Sequence, residues 1–377
     1  MTKAAIVILE DSSKAGFGGG QQITLHVISA LQHQFKLFVF DTSKTTRFNQ
    51  KLAENKYVQR LSYYTASPTV GSINILNLLL ELILLPWQVL LNALKILKLY
   101  GQIRMAGRNV VVYSTTKKTL FFVYMASLIV PGLKYIHHLH SYENTQTYAF
   151  KLKQKMYTKA KALISVSDFI YNTFKLPNNH LIFNPVTFNP DAKVKDIANT
   201  DIIRVVTFSS LTPAKGVEFL MQAYQYLPED LKEKIFIDIY GDGKQYHALK
   251  KLENKHVSLK GYCNNIHAVL NQQAYITVVP TVIPESFGLQ IVESFSCGVP
   301  VIATQIGAQG QLVKHMQNGL LVTIKNPADI AEKIAWMVQN PTKYQQLANQ
   351  ALIDSKLYDL GQFKNSVLHL FEKVLAK

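Results

Sequence analysis

The stretch Val278–Thr304, VVPTVIPESFGLQIVESFSCGVPVIAT, constrains the fold of this chain more than any other. The apolar run Tyr275–Val279 predicts a strand that breaks at Pro280 and Pro284. Leu289, Val292 and Phe295 then recur at helical spacing, and Cys297, Gly298 and Pro300 end the helix. Val299–Ala303 reads as a second short buried strand. Strand, loop, helix, strand is the building block of an α/β domain.

The chemistry of this unit lies where the loop meets the helix. A helix N-terminus presents unpaired backbone N–H groups and a partial positive charge, which suits a phosphate or an electron-rich sugar oxygen. Gly288 lets such a group approach the backbone closely. Glu285 lies on the loop and Glu293 about two turns into the helix. Eight residues at about 100° each would leave two helical carboxylates roughly 80° apart, so they can grip different parts of one elongated ligand.

Glu285-Ser-Phe-Gly-Leu-Gln-Ile-Val-Glu293, followed by Ser-Cys-Gly-Val-Pro-Val-Ile-Ala, closely resembles the E-x7-E signature of the retaining, nucleotide-sugar-dependent glycosyltransferases of family four, the glycosyl transferases group 1. The resemblance implies the GT-B fold, α/β with two Rossmann-like domains facing across a cleft. It also implies that Glu285 and the amides of Phe287, Gly288 and Leu289 hold the donor sugar, and that Glu293 binds the ribose hydroxyls. Without the surrounding residues, the same pair would read as two solvated carboxylates around an ordinary helix start.

At 377 residues and 48% hydrophobic, the chain can bury two cores. Cys263 and Cys297 are too few and too far apart for a disulfide framework or a cysteine metal site, which fits a reducing cytosol. The apolar run Ala4–Leu9 ends in Glu10-Asp11 and reads as a first strand rather than an export signal. The net charge of +16 is lopsided. Residues 1–190 hold 21 Lys/Arg against 7 Asp/Glu, and residues 191–377 hold 19 against 17. No nucleic-acid-binding signature accompanies the basic half, so an anionic membrane surface or anionic acceptor is the expected partner and nucleic acid is not.

In chain order, strand Ala4–Leu9 runs through Ser12–Gly20 into a helical pattern over Gln21–Gln32. The loop lacks G-x-G-x-x-G, and Asp41 is the one residue placed to serve a nicotinamide ribose. In the resembled family a Gly-Gly pair here lies close to the donor phosphates and the acceptor, a role that falls to Gly19 and Gly20. Ile73–Tyr100 is leucine-rich, but Asn74, Asn77, Glu81, Gln88, Asn92 and Lys95 draw a polar stripe and Pro86 interrupts it. This predicts one or two amphipathic helices, packed in the core or docked on lipid beside Lys95, Lys98, Arg104 and Arg108. His137, His138 and His140 follow on a strand, where His138 and His140 share a face without the further ligands a metal needs. The resemblance gives His140 or His138 the place of a histidine facing the reacting sugar.

Asn189–Thr200 is polar and aperiodic and marks the linker. The expected domains are therefore 1–190, completed by a C-terminal helix over 361–377, and 191–360. Ser209-Ser-Leu-Thr-Pro-Ala-Lys-Gly216 resembles the family's Gly-Arg-Leu-x-x-x-Lys-Gly, in which Arg and Lys neutralise the donor diphosphate. Lys215 carries over, but Ser210 stands in place of the arginine, removing a bidentate phosphate clamp. Gln311 likewise replaces a glutamate in a pattern resembling Gly-Gly-x-x-Glu.

Together these features imply a retaining transferase that moves a hexose from a nucleotide-diphosphate sugar, most simply a UDP-sugar, to a hydroxyl acceptor. Lipid-linked, polymer and protein acceptors of cell-surface glycan synthesis all fit. No D-x-D triplet and no enzymic nucleophile is visible, so no metal or other cofactor is expected. The resemblance points to same-face attack, with the leaving phosphate accepting the acceptor's proton. The expected location is cytoplasmic, at the inner face of the cell membrane. The alternative is a non-catalytic GT-B-like subunit that binds glycan or stabilises a partner, as Ser210 and Gln311 suggest.

Overall fold

The structure is a computed structural model that describes residues 4–12, 18–41, 45–63, 75–188 and 192–376, with the side chains of 75–86, 149 and 152 outside the description. It divides into two compact units. The first holds the chain up to Val166, Ile170–Phe183 and the C-terminal segment from Gly361; the second holds Ser167–Phe169 and Asn184–Leu360.

In the first unit the strands are β1 (Ala4–Leu9), β2 (Lys36–Asp41), β3 (Val58–Ser62), β4 (Asn109–Ser114), β5 (Lys134–Leu139), β6 (Ala162–Ser165) and β7 (Asn179–Leu181). They form one sheet in the order β3-β2-β1-β4-β5-β6-β7, with every pairing parallel. Parallel strands covered on both faces need nearly continuous apolar runs, and Ala5–Leu9 and Val111–Tyr113 are wholly buried. Helices Gly19–Leu31, Ile75–Met105, Lys117–Ile129 and Leu360–Ala376 are the longest of this unit.

The second unit carries β8 (Ile203–Phe208), β9 (Ile235–Tyr240), β10 (Val257–Gly261), β11 (Ala274–Val279), β12 (Val301–Thr304) and β13 (Gly319–Val322). Their order is β10-β9-β8-β11-β12-β13, again all parallel. Its core joins Val205, Ile237, Ile276 and Ile302 from the strands to Leu220, Ile330, Ile334 and Tyr344 from the helices.

Each sheet reverses its winding once, between β1 and β4 and between β8 and β11. At such a switch point the helices leave neighbouring strands on opposite faces, and a crevice opens beyond the carboxyl ends of the two strands. The two sequence patterns singled out above, Ser209–Gly216 and Pro280–Gly288, follow β8 and β11 and so meet at one of these points.

The helix Ile75–Met105 departs from expectation. It continues through Pro86 as one helix of 31 residues. Of the predicted polar stripe, Asn74 lies outside the described residues, as do the side chains of Asn77 and Glu81. Asn92 is buried, and Lys95 Nζ turns inward to donate to the carbonyl of Ser62 and sits over the Phe40 ring. Burial lowers the pKa of Lys95. In the described part of the helix, the polar stripe thus faces the protein at Asn92 and Lys95 and an apolar one faces water.

Candidate functional site

In the second unit, the loops after β8 and β11 are stitched together. Val282 N–H donates to Ala214 O at 2.9 Å, and Gly216 sits at φ 61° against the Pro280 carbonyl. A Cβ there would lie 2.2 Å from Pro280 O. This contact brings Lys215 Nζ onto Glu285 Oε1 as an ion pair, with the two side chains 29% and 15% exposed. Thr281 Oγ1 donates to the same carboxylate oxygen at 3.2 Å, and Ala308 N–H donates to the Glu285 carbonyl at 3.1 Å. A cation and a carboxylate 70 residues apart in sequence therefore share one polar cluster.

The helix Leu289–Ser296 starts directly after Gly288, which takes φ 104°. Glycine alone enters that region at little cost. The adjacent Phe287 side chain is buried against the Tyr358 ring, centroids 5.6 Å apart, so Phe287 can reach a ligand only through its backbone amide. The helix is tied to the sheet by Gln290 Oε1, which accepts from Phe208 N–H at 3.1 Å, and by Ser294 Oγ, which donates to Thr277 Oγ1 at 2.8 Å. These ties fix its N-terminus beside the end of β8, so the open N–H groups and Lys215 sit at the same switch point.

Glu293 is half-buried on this helix, and its carboxyl group has no hydrogen-bond or ion-pair partner among the described residues. Burial pushes its pKa up to about 7. An unpartnered, desolvated carboxylate is a costly group to keep unless a ligand supplies the missing donors. Ser210 is exposed in the loop after β8, and Gln311 is exposed on the short helix Gln309–Leu312.

The linkage has a definite sign. In the folded chain Glu293 holds its proton to about pH 7, whereas unfolded it releases it near pH 4.5, so this group lowers stability as pH rises from about 4.5 to 7. Glu293→Gln should therefore raise Tm at pH 8 and leave it unchanged near pH 4.5. The gain has a ceiling of about 3 kcal/mol before solvent screening reduces it. A scan of Tm against pH for both proteins checks this; equal Tm at pH 8 would show that the carboxylate is already compensated.

In the first unit, Gly19 and Gly20 open the helix Gly19–Leu31, while residues 13–17 of the preceding loop lie outside the described set. A Cβ at Gly20 would sit 4.0 Å from His140 Cγ, so the glycine pair and this histidine are neighbours at the carboxyl end of the sheet. His138 and His140 stack with ring centroids 3.9 Å apart, as expected for strand residues of equal parity. His138 is fully buried with its Nδ1 on the Tyr113 hydroxyl, whereas His140 is partly exposed. Of the two candidates, His140 is the one that keeps some exposed surface. Its Nε2 is itself buried and has no partner among the described residues, and burial lowers its pKa to about 4, so it is a neutral imidazole at pH 7. His137 points the other way, to Ser114 Oγ at 2.8 Å.

Asp41 is spoken for. It is buried and accepts from Ser12 N–H, Thr46 Oγ1 and Asn49 Nδ2, which braces the loops after β1 and β2 and leaves no carboxylate for a ribose. Glu10, which sequence reading passed over, is buried beside it with Thr24 Oγ1 at 2.7 Å, and burial raises its pKa to about 7. Among the described residues no three His, Cys, Asp or Glu side chains converge on one point. Thr281 was also missed, and its place one residue beyond Pro280 at a strand end was the available signal.

Residues 189–353 match the family described as "Glycosyl transferases group 1". An uncharacterized glycosyltransferase of Methanocaldococcus jannaschii is 30% identical over 174 residues, 44% of this chain and 46% of its own length. The N-acetyl-alpha-D-glucosaminyl L-malate synthase of Bacillus anthracis is 22% identical over 152 residues, 39% of each chain. The aligned stretch thus spans about half or less of these relatives. Among solved structures, a glycosyltransferase from Rickettsia africae superposes with TM-score 0.78 at 18% identity, covering 100% of this chain and 99% of its own. Anabaena HepE in complex with UDP gives 0.76 at 19%, covering 98% and 100%. At such identities the superpositions show the fold, which is GT-B. The similarity to the glycosyl transferases group 1 family thus lies in the second unit, where its model covers residues 189–353.

Proposed function

We propose that the protein is a retaining glycosyltransferase that transfers a hexose from a nucleotide-diphosphate sugar, with UDP as the nucleotide, to a hydroxyl acceptor in cell-surface glycan, glycolipid or glycoprotein synthesis at the cytoplasmic face of the membrane. The observation that carries this reading is the pairing of Lys215 with Glu285 at the foot of the helix Leu289–Ser296. In this reading the cation and the helix N-terminus receive the diphosphate, Glu285 with the amides of Phe287, Gly288 and Leu289 holds the sugar, and Glu293 takes the ribose hydroxyls. Gly19, Gly20 and His140 serve the first unit's side of the reaction. In this reading the neutral His140 imidazole, whose buried Nε2 has no partner among the described residues, turns toward the sugar to donate to or accept from a hydroxyl.

The leaving diphosphate departs as charge develops on the sugar. Lys215 and the open helix amides offset the negative charge, and no metal is required in this reading. Same-face attack places the acceptor hydroxyl beside the leaving phosphate, which takes its proton. Anabaena HepE was solved with UDP and with UDP-glucose, which supports UDP as the nucleotide to try first. The non-catalytic alternative rests on Ser210, an exposed hydroxyl where a guanidinium would clamp phosphate.

The test is thermal stability of the purified protein against a panel of nucleotides and nucleotide sugars. A ligand present at about 100 times its Kd should stabilise the native state by about 2.7 kcal/mol. One nucleotide sugar should shift the wild type, and Glu293→Gln should weaken that ligand about 10- to 100-fold, the effect of losing a charged hydrogen-bond acceptor. A wild type that responds to none of them would favour the partner-subunit reading.

A further inference from the structure

The helix Ile75–Met105 turns its apolar side to water. Trp87, Leu91 and Leu94 fall at i, i+4 and i+7, with Leu90 alongside, and they are 63%, 45%, 47% and 38% exposed. Lys98 continues the same stripe one turn on and is exposed. The opposite side, with Asn92, Ala93, Ile96 and Ile103, is buried. The neighbouring helix Lys117–Ile129, which packs on it, exposes Phe121, Leu128 and Ile129. Isolated exposed leucines are common, but a stripe led by an exposed tryptophan on one helix, with a second apolar face on its packing partner, marks an interaction surface.

We propose that this surface of the first unit seats the protein on a membrane rich in anionic lipid. Charge selects this occupant over a second copy. Residues 75–129 hold Lys98, Arg104, Arg108, Lys117, Lys118 and the inward-turned Lys95 against the single acid Glu81. Glu143 and Asp11 pair with Lys117 and Lys118 from outside the segment, which still leaves the cations in excess. Two copies joined by the same patch would bring those cations together, and like charges across an interface are strongly unfavourable. Anionic headgroups meet both demands, since apolar side chains enter the acyl boundary while lysines and arginines remain at phosphate level. Among the described residues no helix is long and apolar enough to cross a membrane, so the mode is lying on the surface. The inference is independent of the donor chemistry in the second unit.

The chain has two tryptophans, so Trp336→Phe leaves Trp87 as the sole reporter. Its emission should move to shorter wavelength, and the protein should sediment, with vesicles of phosphatidylcholine and phosphatidylglycerol at about 3:1, far more than with pure phosphatidylcholine. The pair Leu91→Glu and Leu94→Glu should reduce binding about tenfold or more while leaving the nucleotide-induced Tm shift intact. Absence of lipid binding, or binding that survives the double substitution, overturns the proposal. So does a lipid-free blue shift that grows with protein concentration together with a doubled mass in light scattering, because that would assign the stripe to a second copy.

Discussion

Glu285→Gln should lower kcat about 10²- to 10³-fold while leaving the affinity for UDP unchanged or slightly tighter. The amide keeps the volume and the hydrogen bond from Thr281, so the loop should hold its shape. What it removes is charge. As the glycosidic bond breaks, positive charge grows on the sugar ring, and a carboxylate beside it stabilises that state more than the ground state. The same carboxylate repels the diphosphate and competes with it for Lys215, its ion-pair partner. Its loss therefore separates catalysis from binding. Steady-state kinetics with calorimetric titration of UDP would show the split, and a parallel loss of both would mean that Glu285 holds the ligand rather than assisting the reaction.

Gly216→Ala should cost about 3 kcal/mol of stability. A non-glycine residue at φ 61° costs about 1–2 kcal/mol, and the added methyl would fall 2.2 Å from the Pro280 carbonyl. Relief of such an overlap costs a further 1–3 kcal/mol or so. A fall in Tm of about 6–12 °C is expected for a domain of this size. The damage should extend to function, because the loop must retreat from Pro280 and carry Lys215 away from Glu285. A variant with wild-type Tm and wild-type donor affinity would show that the two loops are not held by this contact.

The second unit was the more legible half, and the reason is local. Its motif is contiguous, so the strand ending at Val279, the break at Pro280 and the helix opening at Leu289 are written in order. Strand parity also told correctly that His138 and His140 share a face. What parity could not tell is which ring Tyr113 would claim, because that depends on the neighbouring strand β4. The partnership of Lys215 with Glu285 was likewise out of reach, since it is set by the strand order at β8 and β11 rather than by spacing along the chain.

The helix Ile75–Met105 shows the limit most clearly. Periodicity distinguishes two faces, but the inward one is chosen by packing. Where both faces are largely apolar, the polar stripe need not face water if the protein can satisfy it, as the Ser62 carbonyl does for Lys95. Asp41 is a second case: its place at a strand end matched a ribose ligand, but Ser12, Thr46 and Asn49 consume its oxygens.

The central claim is that Lys215 and the adjoining helix N-terminus receive a diphosphate, and calorimetric titration of UDP and of uridine into the wild type and Lys215→Ala tests it most directly. The account predicts that the wild type binds UDP far more tightly than uridine, that Lys215→Ala loses about 10- to 100-fold for UDP, and that uridine binding is unchanged. Equal affinity of the two proteins for UDP would contradict it, because the cation paired with Glu285 would then have no part in holding the phosphates.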